Sequence, residues 1–331
     1  MKGNKLNKIR NIAVLTSGGD SPGMNACLRS VVRTSVYNGL SVFGVKRGYA
    51  GLIEGDIVSL KSENVANILQ RGGTFLKSSR SLEFKTKKGR EIAYQNILKN
   101  RIDGLIVIGG DGTFKGANIF SSEFNIPIIG IPGTIDNDMY GTDSTIGYDT
   151  ALNTVVSAVD KIRDTANSHN RLFVVEVMGK DAGFIALRTG IGVGAEAILI
   201  PETPTYLANL FDKLKNGRRA NKTSGIIIVA EGDDGGGAYK VSEAIKSKFD
   251  FYDVRVSVLG HLQRGGNPSA YDRVLASRLG YSAVEALISG RNNEMVGVKN
   301  SKIIFTPFKK ACKYNKNIKK ELLDLANILS I

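Results

Sequence analysis

The chain of 331 residues contains no tryptophan, two cysteines, two histidines and seven prolines. Cys27 and Cys312 stand far apart in sequence and form no CxxC or zinc-ligand spacing. They read as free thiols in a reducing compartment. No window approaches about 18 consecutive apolar residues, so a membrane span is not expected. The first residues lack the short apolar segment of a secretory signal, and a cytoplasmic location is expected. No Pro/Ser-rich linker divides the chain. Acidic residues are scarce beside basic ones: 31 Asp and Glu against 45 Lys and Arg, a net charge of +14. The excess gathers in MKGNKLNKIR, FKTKKGR and FKKACKYNKNIKK, but no helix carries a basic stripe and no DNA- or RNA-binding signature appears. A Lys-rich surface with arginines placed around small anionic ligands fits better than a nucleic-acid or membrane partner.

What is present in quantity is glycine, 38 residues, on a globular background of 42% apolar and 23% charged residues. Short apolar runs alternate with helix-period segments. NIAVLT (11–16), SVFGV (41–45), DGLIVIGG (103–110), IPIIGIP (126–132), RLFVVEVM (171–178), AILIP (197–201), GIIIVAEG (225–232) and VRVSVLG (254–260) predict strands. The central runs are apolar on both faces, as a parallel sheet covered by helices requires. Helices are predicted from Met24 to Tyr37, from Thr150 to near Thr165 and over 270–289. Pro22 suits a first helical turn that Ser21 or Asp20 caps, and GDDGGGAYK (232–240) reads as a flexible loop. The alternation predicts a doubly wound α/β fold, in which ligands sit beyond the carboxyl ends of the strands.

Three loops after strands carry the chemistry. Ser17-Gly18-Gly19-Asp20 lets backbone amides approach a phosphate, although a tight structural turn explains it about as well. Gly109-Gly110-Asp111-Gly112-Thr113 gives a triphosphate room, with Asp111 on Mg²⁺ directly or through water. In PGTIDND an extended backbone would point Thr134, Asp136 and Asp138 one way, so that one carboxylate takes the proton of an attacking hydroxyl. Arg80, Arg171, Arg255 and Arg264 recur beside glycine-rich strand ends and offer forked donors to phosphates. His169 reads as a helix-end residue. His261 reads as a substrate donor or a satisfied buried histidine.

LTSGGDSPGMN, RGGTFLKSSR, IGGDGT, PGTIDND, GTDSTIGYDTA, RDTANSHNR, VVEVMG and LGHLQRGGNPSAYDR, in this order over nearly the whole chain, resemble the ATP-dependent 6-phosphofructokinases of bacterial type. The resemblance implies two Rossmann-like α/β/α domains with mainly parallel sheets and a chain that crosses between them. Residues 1–146 plus 262–312 would bind ATP, and 147–261 plus 313–331 would bind fructose 6-phosphate. It implies Asp136 as the base for the 1-hydroxyl, with Thr134, Asp138 and Arg80 at the reacting centre. Gly19, Arg80, Ser81, Gly110, Asp111, Gly112 and Thr113 would hold Mg-ATP, Asp111 being the metal-side carboxylate. The sugar would meet Thr134, Ile135, Asp136, Met178, Gly179, Lys180, Glu231, His261, Leu262, Gln263 and Arg264, with Arg171 and Arg255 supplied by a neighbouring subunit of a homotetramer. Arg29, Arg33, Arg163, Gly194, Glu196 and Lys222 match an effector site for ADP or phosphoenolpyruvate, where Ala220, Thr223 and Ser224 depart from the usual basic run. Lys180 stands where the family usually has arginine.

Competing readings are weaker. Pyrophosphate-dependent relatives crowd the donor pocket with Asp and Lys at the positions of Gly112 and Gly133. A silent regulatory subunit would be expected to lose Asp136, Asp111 or Arg80. GGDGT also occurs in lipid and NAD kinases, which would not be expected to carry PGTIDND or GHLQRGG. A Rossmann dehydrogenase would want GxGxxG.

Overall fold

The computed structural model describes residues 9–219 and 224–329. Its strands are β1 Asn11–Thr16, β2 Ser41–Val45, β3 Ile57–Leu60, β4 Gly104–Gly109, β5 Ile128–Pro132, β6 Arg171–Val177, β7 Ala197–Leu199, β8 Gly225–Ala230, β9 Asp253–Val258, β10 Glu294–Lys299 and β11 Lys302–Pro307. Its helices are α1 Met24–Tyr37, α2 Gly48–Glu54, α3 Lys87–Lys99, α4 Asp111–Phe124, α5 Tyr148–His169, α6 Phe184–Gly192, α7 Leu207–Arg219, α8 Gly237–Lys248, α9 Ala270–Ile288, α10 Phe308–Ala311 and α11 Lys320–Leu329.

The chain forms two compact units, one of Met1–Thr134, Met139–Asp149 and Arg264–Lys316, the other of Ile135–Asp138, Thr150–Gln263 and Asn317–Ile331. In the first, a seven-stranded sheet runs β11-β10-β5-β4-β1-β2-β3, antiparallel only at β2–β3 and β10–β11. Alternate residues of β1 serve opposite faces. Ile12 and Val14 join Leu28 and Val31 of α1 and Leu275 and Leu279 of α9. Ala13 and Leu15 join Leu52 of α2, Ile97 of α3 and Phe114 and Phe120 of α4. That double burial is why the strand reads as an unbroken apolar run.

The second unit holds a four-stranded, all-parallel sheet in the order β7-β8-β6-β9. Leu172 and Val174 of β6 and Ile227 and Val229 of β8 pack on Leu210 and Leu214 of α7 and on Val241 and Ile245 of α8. Both sheets are mainly parallel and helix-covered, as the alternation predicts.

Several local expectations are corrected. Neither Ser21 nor Asp20 caps α1: its N-cap is Gly23, with φ of 105° and no side-chain cap. A Cβ there would stand 2.7 Å from Ile146 Cγ2, so glycine sets the entry angle. Residues 134–138 are not extended; the chain bends at Ile135–Asp136, and Asn137 takes φ of 54°. The alternation argument for that segment therefore fails. The 232–240 stretch is not a loose loop either, since α8 begins at Gly237. Asp233 is buried and accepts from Thr205 Oγ1 at 2.7 Å and Gly235 N at 2.9 Å, while Glu176 accepts from Ala238 N at 2.9 Å. Helix α5 begins two residues before Thr150 and runs on to His169.

Candidate active site

In the first unit the turns after β1 and β4 are sewn together. Ser17 N donates to Ile108 O at 3.0 Å, and Thr113 Oγ1 donates to Ser17 O at 3.1 Å. The Tyr49 hydroxyl donates to Thr113 O at 2.7 Å. A Cβ at Gly109 would lie 2.3 Å from Thr113 Oγ1, so this approach requires glycine. Thr113 is buried and its hydroxyl is engaged in this stitch.

Gly110 is the N-cap of α4, without a side-chain cap. Thr113 N donates back to Gly110 O at 3.0 Å, so the helix offers the amides of Asp111 and Gly112 and the positive end of its dipole at this turn. Asp111 opens the helix, 2.6 Å from Lys115 Nζ. A Cβ at Gly112 would meet nothing within 4 Å, whereas one at Gly133 would stand 2.9 Å from Ile108 Cγ2 and 3.1 Å from Met24 Cε. Open space thus exists at Gly112, while Gly133 is glycine for packing. A Cβ on Gly110 would be 3.7 Å from that of Thr134, which brings the GGDGT and PGT turns side by side.

Arg80 is exposed and follows a tightly held loop. Ser81 Oγ accepts from Phe84 N at 3.2 Å and starts the short turn Glu83–Lys85. Arg264 belongs to this unit. Its Nη1 donates to Asp20 O at 3.2 Å, and its guanidinium covers Gly19 so closely that a Cβ there would be 2.7 Å away.

In the second unit the turn after β6 is clasped from two sides. Met178 N donates to Gln263 Oε1 at 3.2 Å. Gly179 N and Lys180 N donate to Glu231 Oε1 at 3.3 and 2.6 Å. Gln263 is fully buried and its amide also donates to Gly260 O at 3.1 Å. Its side chain holds the turn and does not face outward. Ile135 is likewise fully buried, so only its backbone is left to meet a ligand. His261 and Leu262 are exposed, and Asp136 is buried. Lys180 Nζ lies 3.1 Å from Asp181 Oδ2. The Asp181 carboxylate, and behind it the charges of Asp138 and Asp136, holds the Lys180 ammonium above its ordinary pKa.

At the other end of β6, Asp253 lies between the two arginines. Arg171 Nε donates to its Oδ2 at 2.8 Å, and Arg255 reaches both oxygens at 3.0 and 3.1 Å. The bond from Arg171, and after it those from Arg255, hold the Asp253 carboxyl below its usual range. Arg171 starts β6 and Met178 follows its last residue, a separation of roughly 20 Å along a strand.

Of the effector-matching residues, Arg29 and Arg33 share one face of α1, where burial and then the Arg33 charge lower the Arg29 pKa. In the second unit Arg163 donates to Val193 O and to Gly194 O. The Glu196 side chain lies over Gly225. Lys222, with Ala220 and Thr223, lies outside the described residues. Ser224 is described, and its hydroxyl donates to Asn167 Oδ1 at 2.7 Å.

Two contributors escape a reading of the sequence alone: Asp181 and Asp253. Asp181 directly follows Lys180, and Asp253 lies two residues before Arg255. That proximity is the only signal the chain offers for either.

The family profile described as Phosphofructokinase matches residues 11–287. The chain belongs to the phosphofructokinase family. Among its relatives, the ATP-dependent 6-phosphofructokinase 2 of Bacteroides thetaiotaomicron is 54% identical over 326 residues, covering 98% of this chain and all of that one. The ATP-dependent 6-phosphofructokinase 1 of Thermus thermophilus is 50% identical, again over 98% of this chain and all of the relative. Among solved structures, phosphofructokinase from Saccharomyces cerevisiae has a TM-score of 0.88 at 38% identity, covering 97% of this chain and 48% of the yeast chain. A pyrophosphate-dependent phosphofructokinase from Marinobacter aquaeolei has a TM-score of 0.83 at 21% identity, covering 97% of this chain and 91% of that one, and shares the fold.

Within a phosphofructokinase, Lys180 is the departure with the clearest structural setting. Its backbone takes φ of 54° and its amide is held by Glu231, so the position is fixed whatever the side chain. Lysine keeps the charge without the bidentate fork. Lys180→Arg is expected to leave turnover equal or higher in a coupled fructose 1,6-bisphosphate assay; a large loss would mean that the surroundings have adapted to lysine.

Proposed function

We propose that this chain is an ATP-dependent 6-phosphofructokinase, transferring the γ-phosphate of Mg-ATP to the 1-hydroxyl of fructose 6-phosphate. The observation that carries this reading is its identity of 50–54%, over nearly its whole length, to relatives named for that activity. The residues that the family resemblance assigns to such transfer, Asp136, Asp111 and Arg80 among them, are present in the sequence.

The first unit is the donor side in this reading. The amides of Gly18–Gly19 and of Gly110–Gly112 face the phosphates, with the α4 dipole behind them. Among the described residues no cluster of three His, Cys, Asp or Glu could hold a metal unaided. Asp111, partly exposed at a helix start, fits an ion that arrives with the triphosphate and keeps several waters. When bound, Mg²⁺ neutralises charge on the phosphates. Arg80 stabilises the transferring group from the protein side.

The second unit is the acceptor side. Asp136 takes the proton of the 1-hydroxyl as oxygen attacks phosphorus, with Asp138 beside the reacting centre. Met178, Gly179, Lys180, Glu231 and His261 orient the sugar phosphate; the family resemblance assigns Thr134 and Arg264, residues of the first unit, to the same substrate. Arg171 and Arg255 act on the site of a neighbouring subunit. That assignment is supported by the length of β6, which an arginine side chain does not span, and it requires an oligomer, read here as a homotetramer. The family resemblance assigns Arg29, Arg33, Arg163, Gly194, Glu196 and Lys222 to an effector, a nucleoside diphosphate or phosphoenolpyruvate. The enzyme works in the cytoplasm; among the described residues no helix is long and apolar enough to cross a membrane.

The test is fructose 1,6-bisphosphate formation with Mg-ATP against pyrophosphate. Activity with ATP alone is expected, because Gly112 leaves the donor turn open. Activity with pyrophosphate would keep the family and overturn that argument. Inactivity with both would point to a missing activator, to Lys180 or to a regulatory subunit.

A further inference from the structure

Residues 71–80 form a loop that ends at Arg80, and among the described residues no side-chain hydrogen bond or ion pair holds the Arg80 guanidinium itself. Its position is therefore inherited from the backbone before it. That backbone is fixed by one side chain above all. Asn25, in the first turn of α1 and only 3% exposed, donates Nδ2 to Arg71 O at 3.2 Å and to Gly72 O at 3.0 Å. Its Oδ1 accepts from Phe75 N at 2.8 Å. Both ends of the carboxamide are spent on one loop. Thr16, fully buried at the end of β1, adds a second pin: its Oγ1 donates to Lys77 O at 2.9 Å and stands 3.0 Å from Thr74 Oγ1. Two more bonds come from Arg47, the residue that precedes α2: Arg47 N donates to Leu76 O at 2.8 Å and Ser79 Oγ donates to Arg47 O at 2.9 Å.

A buried apolar side chain could fill the space of Asn25, but it could not choose which carbonyls and which amide face it. A carboxamide that meets two acceptors and one donor specifies a single loop conformation. It also sits five residues after Asp20, so it ties this loop to the turn that carries Gly18 and Gly19.

We propose that Asn25, backed by Thr16, is a positioning residue that acts through Arg80, holding the guanidinium where the transferring phosphoryl group will be. This rests on the reading of Arg80 given above. Positioning errors of about 1 Å at a reacting centre can cost on the order of 100-fold in rate. Loss of Asn25 therefore acts on turnover and not on sugar affinity.

The experiment is steady-state kinetics on the full-length enzyme for Asn25→Ala, Thr16→Val, Arg80→Ala and the double variants that combine Arg80→Ala with each of the other two. A melting curve is recorded for every protein. Asn25→Ala is expected to lower kcat at least about tenfold with KM for fructose 6-phosphate changed by less than about twofold. In the Arg80→Ala background the same change should lower kcat by no more than about twofold, while its effect on melting temperature stays the same. Multiplicative losses in the double variant would overturn the proposal, as would normal turnover in Asn25→Ala. If Asn25→Ala does not fold, Thr16→Val carries the same cycle, because it removes one hydroxyl at nearly constant volume. Wild-type turnover in Arg80→Ala alone would overturn the reading of Arg80 and this proposal with it, whereas an impaired Arg80→Ala with multiplicative doubles would overturn this proposal only.

Discussion

Asp136→Asn is expected to lower kcat for phosphorylation of fructose 6-phosphate by about 10³-fold, within the range typical of a lost general base. The substitution is nearly isosteric at a buried position, so the melting curve and the KM for Mg-ATP should stay close to wild type. The proton must leave the 1-hydroxyl as its oxygen bonds to phosphorus, and an amide cannot take it. Near-normal turnover in Asp136→Asn would remove Asp136 from the role of base and direct attention to Asp138.

Arg80→Ala is the second large effect. A guanidinium that stabilises charge on a transferring phosphoryl group contributes on the order of 10³-fold or more to turnover. The side chain is exposed and the loop is pinned by Asn25, Thr16 and Arg47, so the fold should not depend on it. The expected result is a kcat loss of about that size, with little change in KM for fructose 6-phosphate. A variant that instead raised only the KM for ATP would show that Arg80 binds the donor without stabilising the transfer.

Much of the architecture is legible in the residues because burial on both faces leaves a local mark. β1, β2 and α1 fall where the apolar runs and the helical spacing place them. β3 and β11 leave no such mark: both are antiparallel edge strands with partly exposed residues, so their runs are short and mixed. β10 and β11 are joined through the Asn300–Ser301 pair. Both residues have positive φ, the geometry of a tight two-residue hairpin turn.

The site was legible as motifs and not as contacts. GGDGT and PGTIDND announce acceptors, donors and room for phosphate. Nothing local says that Gln263 and Glu231 spend themselves on the backbone of Met178–Lys180, since each partner arrives from a distant strand end. Ile135 is part of the PGTIDND run, yet its side chain is core, because the bend at 135–136 turns it inward where an extended strand would not. Gly133 shows the same limit: two glycines look alike in sequence, but one opens space and the other fills a gap between Ile108 and Met24.

The strand order of the first unit also bears on how the chain is made. β5 is fully buried and apolar, and one of its two neighbours is β10, which leaves the ribosome about 160 residues later. Until then the growing chain carries an open, apolar strand edge, the kind of surface that invites pairing with another chain. The intervening residues include all of Thr150–Gln263 of the second unit, so that unit can begin to form while the first sheet is still incomplete. A nascent chain halted before Glu294 would be the aggregation-prone species, and chaperone capture during translation would matter most over that interval.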